Sequence, residues 1–534
     1  MAGGLWDYII VGGGSAGCVL ANRLSANPSS RVLLLDAGSS DFSPSIRIPA
    51  GMISAIENEK YNWKYPAAPD PSRGGVEDKW SAGKAIGGGS AINGMFYTRG
   101  HRSDYDRWAQ VGCQGWDYAS LLPHFRNIEA FEGGEDEYRG SGGPQSVTFA
   151  RHKLPLIDRV VEAAQTCGHL LNEDYNGAHL TGVGYAQATQ KRGWRYSSAN
   201  AFLGPIKGRK SLKVIKGAHA TRVLFENKRA HSVVYMQGGE QRIAKCQGEI
   251  ILSAGAIGSP KLLMQSGIGA ASKLTAFGIK QVFDAPEVGE NLMEHPAVYL
   301  TAKTSMPSLN AAARASRLPF VLADWLLRGR GPATSCAAVA QIMCRSREGL
   351  AAPDIQLLLT PAIFTYDIEK KKAKVERDNG MSIAALIMHP ESRGRVSLVS
   401  DDPLAMPLIE HQLLGAEADL EGLVHAARKA TEILNASGLE GIVTSKQPDL
   451  SPDSTDDDYR AFIRETVFRG DHPCGTCRMG GDETAVVDPQ LRVRGVSGLR
   501  VADASIMPMI PSGNTNAPTM MIGEKAASMI LASP

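Results

Sequence analysis

Trp6-Asp-Tyr-Ile-Ile-Val-Gly12-Gly-Gly-Ser-Ala-Gly17 is the stretch on which the fold turns. Residues 6–11 form a short apolar, β-branched run, the pattern of a buried strand. Glycines at 12, 14 and 17 then satisfy G-x-G-x-x-G. From Cys18 to Leu24 apolar residues fall at helical spacing, and Arg31 to Leu35 reads as a second strand ending at Asp36. The whole is a strand–turn–helix–strand unit of about thirty residues. The glycines permit the tight turn and the close approach of backbone to a pyrophosphate, and the helix N-terminus favours negative charge. Asp36 lies 19 residues beyond Gly17, where a carboxylate can accept from a ribose hydroxyl. Glycine-rich turns occur by chance, but strand, helix and acid together point to a bound dinucleotide. They do not separate NAD from FAD.

Further elements of nucleotide-binding type recur along the chain. Gly83-Lys-Ala-Ile-Gly-Gly-Gly-Ser90 precedes Asn93; the strand-like run Glu249–Ser253 leads into Ala254-Gly-Ala-Ile-Gly-Ser-Pro260 and a helical stretch from Lys261 to Gln265; Leu499–Ala502 reads as a short strand stopping at Asp503. Residues of about 300–469 carry long helical patterns and one strand, Gly394–Val399. This order predicts an α/β fold in which a discontinuous Rossmann-type domain is interrupted by a substrate domain. The expected division is 1–152, 194–298 and 470–534 for the nucleotide domain, with 153–193 and 299–469 for the substrate domain, the latter an α+β unit of antiparallel sheet and helices. The acidic run Ser451–Asp458 reads as a solvated turn and helix cap.

At 534 residues the chain exceeds what one hydrophobic core supports, so more than one domain is expected. A composition of 43% hydrophobic and 21% charged residues is that of a soluble globular protein, and a net charge of +2 provides no strong field for nucleic acid or anionic lipid. Eight cysteines in so long a chain do not make a disulfide scaffold and are read as reduced thiols. The N-terminus carries Asp7 and no basic leader, unlike a signal peptide, and no apolar run is long enough to span a bilayer. The expected location is cytoplasmic, with peripheral contact at the inner membrane left open.

Two blocks near the end carry candidate chemistry, His472-Pro-Cys-Gly-Thr-Cys-Arg-Met-Gly480 and Gly513-Asn514-Thr515-Asn516-Ala517-Pro518. An imidazole has an unperturbed pKa of about 6.5 and can accept a proton near neutrality. The amides of Asn514 and Asn516 precede a helix start at Pro518, a residue suited to a first helical position. Cys474 and Cys477 form C-x-x-C, but no second such pair exists to complete a metal site, and no metal is expected.

Gly83-Lys84-x-Ile86-Gly87-Gly88-Gly89-Ser90-x-Ile92-Asn93 resembles the first signature of the glucose–methanol–choline (GMC) flavin oxidoreductases, and Gly255-Ala256-Ile257-Gly258-Ser259-Pro260-x-Leu262-Leu263-x-x-Ser266-Gly267-Ile268-Gly269 is similar to the second. Val288-Gly289-Glu290-Asn291-Leu292-x-x-His295-Pro296 and the His472 and Asn514 blocks match in the same order. The general character is that of the choline and L-sorbose dehydrogenase branch. The resemblance implies FAD rather than NAD, held by Gly12, Gly14, Ser15, Ala16, Gly17, Asp36, Ala37, Gly88, Asn93, Gly94, Ala220, Asp503, Ala504 and Asn516. Some members attach FAD through a histidine just before the asparagine; here Ile92 stands there, so attachment is expected to be non-covalent. His472 falls at the family's active-site histidine, and Asn514 where members carry a second histidine or an asparagine. Trp63 resembles a residue near the substrate pocket. The other eleven histidines are read as structural.

The reaction these residues imply is oxidation of an alcohol: His472 takes the hydroxyl proton, Asn514 steadies the oxygen, and hydride passes to flavin. The small-molecule alcohol then needs a second partner, an electron acceptor of quinone, dye-like or protein type, or oxygen. A dehydrogenase is the leading expectation. An oxygen-using oxidase and a FAD-containing hydroxynitrile lyase are the alternatives.

Overall fold

The computed structural model describes residues 4–314, 316–367 and 372–532. β1 (Leu5–Val11), α1 (Ser15–Leu24) and β2 (Val32–Asp36) form the expected opening unit. β1 is parallel to β2 on one side, with Ile9 opposite Leu33, and to Glu240–Leu252 on the other, with Ile9 opposite Ile250. Leu212–Lys216 continues the parallel array beyond β2, and Leu499–Val501 pairs in parallel with residues 250–252. The central part of this array, β2 and the last residues of β1 and of Glu240–Leu252, consists of buried runs of Val, Ile and Leu, as in a parallel sheet covered on both faces. Glu240–Leu252 does double duty: its polar first half pairs antiparallel with Arg229–Gln237, which in turn pairs with His219–Glu226.

A second sheet is antiparallel throughout. It is ordered Val443–Gln447, Pro296–Thr304, Gly380–Ile387, Ile355–Thr360, Ala340–Cys344 and Gly182–Tyr185, with Phe468–Arg469 also paired to the start of Pro296–Thr304. Helix Glu417–Leu434 covers it, burying Leu420, Leu423, Val424 and Ala427. The two sheets own separate hydrophobic clusters. Strand Pro296–Thr304 runs across the expected boundary at 298/299. The fold class is as expected, α/β with an antiparallel second sheet.

Several local expectations shift. Gly394–Val399 contracts to the strand Arg395–Ser397, paired with Leu408–Glu410. The helix expected from Lys261 begins at Gly255 and includes Pro260. Proline cannot donate to the carbonyl four residues back, and that carbonyl, Ala256 O, accepts instead from Thr476 Oγ1 at 2.5 Å. The last helix begins at Asn516, so Pro518 is its third residue, still within the turn whose N–H groups have no helical partner. Thr455 caps helix Asp456–Thr466 in a reciprocal box with Asp458.

Candidate active site

The carboxyl ends of the parallel strands converge, and ligands of such folds bind there. β1 leads into Gly12, whose φ of +103° is left-handed and whose position leaves no room for a side chain, since a Cβ would lie 2.3 Å from Ser253 O. A Cβ on Gly17 would lie 1.9 Å from Gly12 O, so this glycine serves the packing of α1 on β1. Gly14 is different: among the described residues a Cβ there meets nothing nearer than 3.9 Å, so the space beside it can cradle a ligand. Asp36, at the end of β2, accepts from Gly13 N at 2.7 Å and Gly38 N at 2.8 Å. Burial pushes its carboxyl up, and those two amides partly offset it.

A cavity of about 1080 Å³ runs along this crevice, more than the roughly 300–1,000 Å³ of a site for one drug-sized ligand. Its wall includes Gly12, Gly14, Ser15, Ala16, Asp36, Ala37, Gly88, Asn93, Gly94, Ala220, Asp503, Ala504 and Asn516, together with Trp63, His472 and Asn514. Among the expected site residues only Gly17 is not in the wall, for the packing reason above. Asp503 accepts from Gly255 N (2.8 Å), Ser259 Oγ (2.6 Å) and Ser505 N (2.8 Å), tying the start of helix Gly255–Gln265 to the turn after the last parallel strand. Asn93 Oδ1 accepts from Met95 N and from the buried Arg195 guanidinium. Asn516 Oδ1 accepts from Ser15 Oγ at 2.7 Å, and its buried Nδ2 has no partner among the described residues. An unmet donor in the wall, the Gly14 cradle and the Asp36 carboxylate fit a dinucleotide cofactor. Trp63 stacks on Tyr65, meets His219 edge-on at 5.5 Å and lies under the Lys84 ammonium at 4.6 Å. His219 and its neighbour Ala220 line the same cavity.

His472 is placed by the second sheet. Phe468–Arg469 pairs with residues 296–297, and Gly470 N donates to His295 O at 2.8 Å. The chain then turns at Asp471 so that His472 N donates to Glu294, 2.8 and 2.9 Å from its two oxygens, and His295 N donates to the same carboxyl at 2.9 Å. The two imidazoles meet Nδ1 to Nδ1 at 3.0 Å, His295 Nε2 lies 3.1 Å from Met388 O, and His472 Nε2 lies 2.9 Å from Asn514 Nδ2.

This chain of contacts fixes the protons. A carbonyl only accepts, so His295 Nε2 carries a hydrogen and, in the neutral ring, its Nδ1 is an acceptor. His472 Nδ1 must then donate, which leaves its Nε2 as the lone pair. Gln356 Nε2 lies 3.5 Å from Asn514 Oδ1, so the amide turns Nδ2 toward that lone pair. Burial lowers His472 to about 4 and, with the neighbouring His472 ring, holds His295 well below its ordinary value, so both rings are neutral at pH 7. Burial, with Asp471 adding to it, pushes Glu294 up to about 8. The outcome is a neutral imidazole whose Nε2 lone pair accepts from the Asn514 amide, in the wall of the cofactor-sized cavity.

Glu294, Met388, Gln356 and the acceptor role of His295 went unseen in the sequence. His295 had a signal, since it stands inside the quoted Val288–Pro296 motif; nothing in that motif shows that it faces His472. Cys474 and Cys477 are fully buried free thiols, pushed well up by burial, and belong to the core cluster.

Residues 6–297 match the family model described as GMC oxidoreductase, and residues 390–523 match its C-terminal counterpart. The chain belongs to the GMC oxidoreductase family: it is an FAD-dependent enzyme that oxidises alcohols. It is 40% identical to a protein named oxygen-dependent choline dehydrogenase from Sinorhizobium fredii, over 98% of this chain and 95% of that one. Among solved structures it is similar to pyridoxine 4-oxidase from Mesorbium loti (31% identity, TM-score 0.88, 98% of each chain). A formate oxidase variant from Aspergillus oryzae matches at 25% identity and TM-score 0.92, covering 100% and 99% of the two chains.

Proposed function

We propose that His472 is the base that takes the alcohol's hydroxyl proton, and that Asn514 is the donor that steadies the oxygen. The observation that carries this reading is the tautomer lock: Met388 O, His295 and His472 in series leave the lone pair of His472 at Nε2, 2.9 Å from Asn514 Nδ2. An alcohol hydroxyl entering from the cavity replaces this amide–imidazole hydrogen bond, donating its proton to Nε2 and accepting from an Asn514 Nδ2 hydrogen as negative charge grows on it. FAD held by Gly12, Gly14, Ser15, Ala16, Asp36, Ala37, Gly88, Asn93, Gly94, Ala220, Asp503, Ala504 and Asn516 supplies the hydride acceptor. The helix Asn516–Ala532 turns its positive end to the same cavity, which favours negative charge there. Gly17 supports this set by packing α1 on β1.

Attachment of FAD is non-covalent in this reading. Ile92, where a tethering histidine would stand, packs with Ile46, Ala55, Tyr61, Ala85 and Ala91 and offers no nucleophile. The acceptor is a quinone, dye-like compound or protein, with oxygen as the alternative. Among the described residues no helix is long and apolar enough to cross a membrane; the location in this reading is cytoplasmic.

The test is an anaerobic panel of choline, pyridoxine and simple primary, secondary and aryl alcohols, scored by bleaching of the flavin. At least one alcohol is expected to bleach it, and His472→Ala to slow bleaching by roughly 10²–10⁴-fold, the usual worth of a general base, while FAD stays bound. Acid denaturation should release the yellow cofactor. Turnover of a cyanohydrin without flavin reduction would instead show the lyase, and an unimpaired His472→Ala would remove the base assignment.

A further inference from the structure

Helix Leu318–Arg328 is turned inside out. Of its eleven residues only Trp325 is buried. Trp325 is the anchor, its Nε1 donating to Gly193 O at 2.8 Å and its ring packed on Trp194. At 100° per residue the side chains of Leu318, Leu322, Leu326, Pro319, Ala323, Leu327 and Phe320 succeed one another across the outward half of the helix, and all seven are exposed. Phe320 is 78%, Leu326 62% and Leu327 84% exposed. A helix lying on a soluble core normally faces water with its polar side; here that face holds no polar residue.

Arginines flank this helix at both ends. Arg317 precedes the helix, Arg328 ends it and Arg330 follows, all exposed, and exposed Arg192 abuts Gly329, the left-handed residue that closes the helix. The helix carries one acid, Asp324, which is half-buried and within 3.4 Å of Arg328. An apolar face on a helix whose ends carry arginines suits a helix lying in a bilayer surface, with leucine and phenylalanine among the acyl chains and guanidinium groups reaching anionic headgroups. A second copy of the chain fits less well, because a two-fold interface sets the same patch against itself and faces arginine with arginine.

The geometry points to helix Leu318–Arg328 as a docking surface for an anionic lipid bilayer. The segment is joined to the cavity: the turn Pro332–Thr334 packs on Pro49–Gly51, and Met52 and Ala337, which follow these two turns, both line the cavity. A bilayer seat therefore lies beside the cavity wall. The inference rests on surface chemistry alone and is independent of the roles given to His472 and Asn514.

Flotation of the full-length FAD-loaded enzyme tests it. Vesicles are made from phosphatidylcholine alone and from phosphatidylcholine with phosphatidylglycerol in equal amounts. The wild type is expected to float with the phosphatidylglycerol vesicles, less so at high salt, and to stay in solution with phosphatidylcholine. Phe320→Ser with Leu327→Ser removes two side chains that make little contact with the core, so the variant folds and keeps its dye-linked activity. Its vesicle affinity should fall by roughly ten-fold or more, as expected from removing two large apolar side chains. Arg317→Gln with Arg330→Gln should weaken the preference for phosphatidylglycerol. Absence of binding, binding unchanged by Phe320→Ser and Leu327→Ser, or a wild-type dimer that those changes split and that ignores vesicles would each overturn the inference.

Discussion

Replacing His295 separates a tautomer lock from simple packing. His295 is fully buried and gives His472 Nδ1–H its acceptor at 3.0 Å. His295→Leu fills much of the same space but offers no lone pair. His472 then either keeps a buried, unpartnered Nδ1–H or shifts its hydrogen to Nε2, the atom meant to be the base. An unmet buried donor costs about 1–3 kcal/mol, and that is the cost of restoring the working tautomer. At about 1.4 kcal/mol per factor of ten, the rate of flavin reduction should fall roughly 5- to 150-fold. His295→Asn puts an amide oxygen near the former Nδ1 and should recover a good part of the loss. The assay is anaerobic stopped-flow reduction with the best alcohol of the panel, on enzyme with wild-type FAD content and melting temperature. Saturation by substrate should shift little, because His295 does not line the cavity. A Leu variant as fast as wild type, or an Asn variant no better than Leu, would refute the lock.

Two further outcomes follow from the same geometry. Gly14→Ala should yield a folded protein with an apo melting temperature near wild type but little retained flavin, because the new methyl meets only the ligand; Gly17→Ala should instead destabilise the apoprotein by about 1–3 kcal/mol or more, as overpacking does, since its Cβ would lie 1.9 Å from Gly12 O. Flavin absorbance and apo-enzyme thermal melts distinguish the two, and equal behaviour would contradict the cradle. With His472 lowered to about 4 by burial, the base is neutral above about pH 5, so the reduction rate should hold level from pH 8 to 5 and fall about ten-fold per unit below 4. The same shift bears on stability: an unfolded histidine binds its proton near pH 6.5 and the folded one only near 4, so stability falls as pH drops through that window, by up to about 3 kcal/mol. His472→Ala should flatten that part of the melting curve series, and a rate profile breaking near 6.5 would show that burial does not set the base.

The opening unit was legible because three independent signals coincide in it: β-branched residues before Gly12, glycines where a Cβ cannot fit, and an acid at Asp36. Sheet two was harder to read. Ile355–Thr360 and Gly380–Ile387 are apolar runs buried on both faces, and such runs lack the alternation that marks a strand. Glu240–Leu252 was half seen for the opposite reason: its first half is an exposed, polar arm of the meander, and only its last four residues, Glu249–Leu252, show the buried β pattern. The apolar outer face of Leu318–Arg328 was invisible as well, since periodicity shows that leucines share a side but not whether that side faces a core or solvent.

Within the site, the proposed pair His472 and Asn514 could be named from the motifs that carry them, but its proton state could not. His472 and Asn514 are 42 residues apart, and the groups that decide which nitrogen carries a hydrogen, His295 and Met388, come from two strands or their flanks in the other sheet. Phe468–Arg469 pairs beside residues 296–297, so the register of a two-residue strand sets the distance between the imidazoles. A slip of one residue there turns every side chain to the opposite face and takes His472 off both His295 and Glu294. His472 is thus carried by a loop but oriented by the antiparallel sheet, while Asn514 and Asn516 come from the lead into a helix packed on α1. Neither half of the molecule alone can hold a neutral imidazole with its lone pair turned to the cavity. This gives a physical reason for the chain to pass repeatedly between the two sheets.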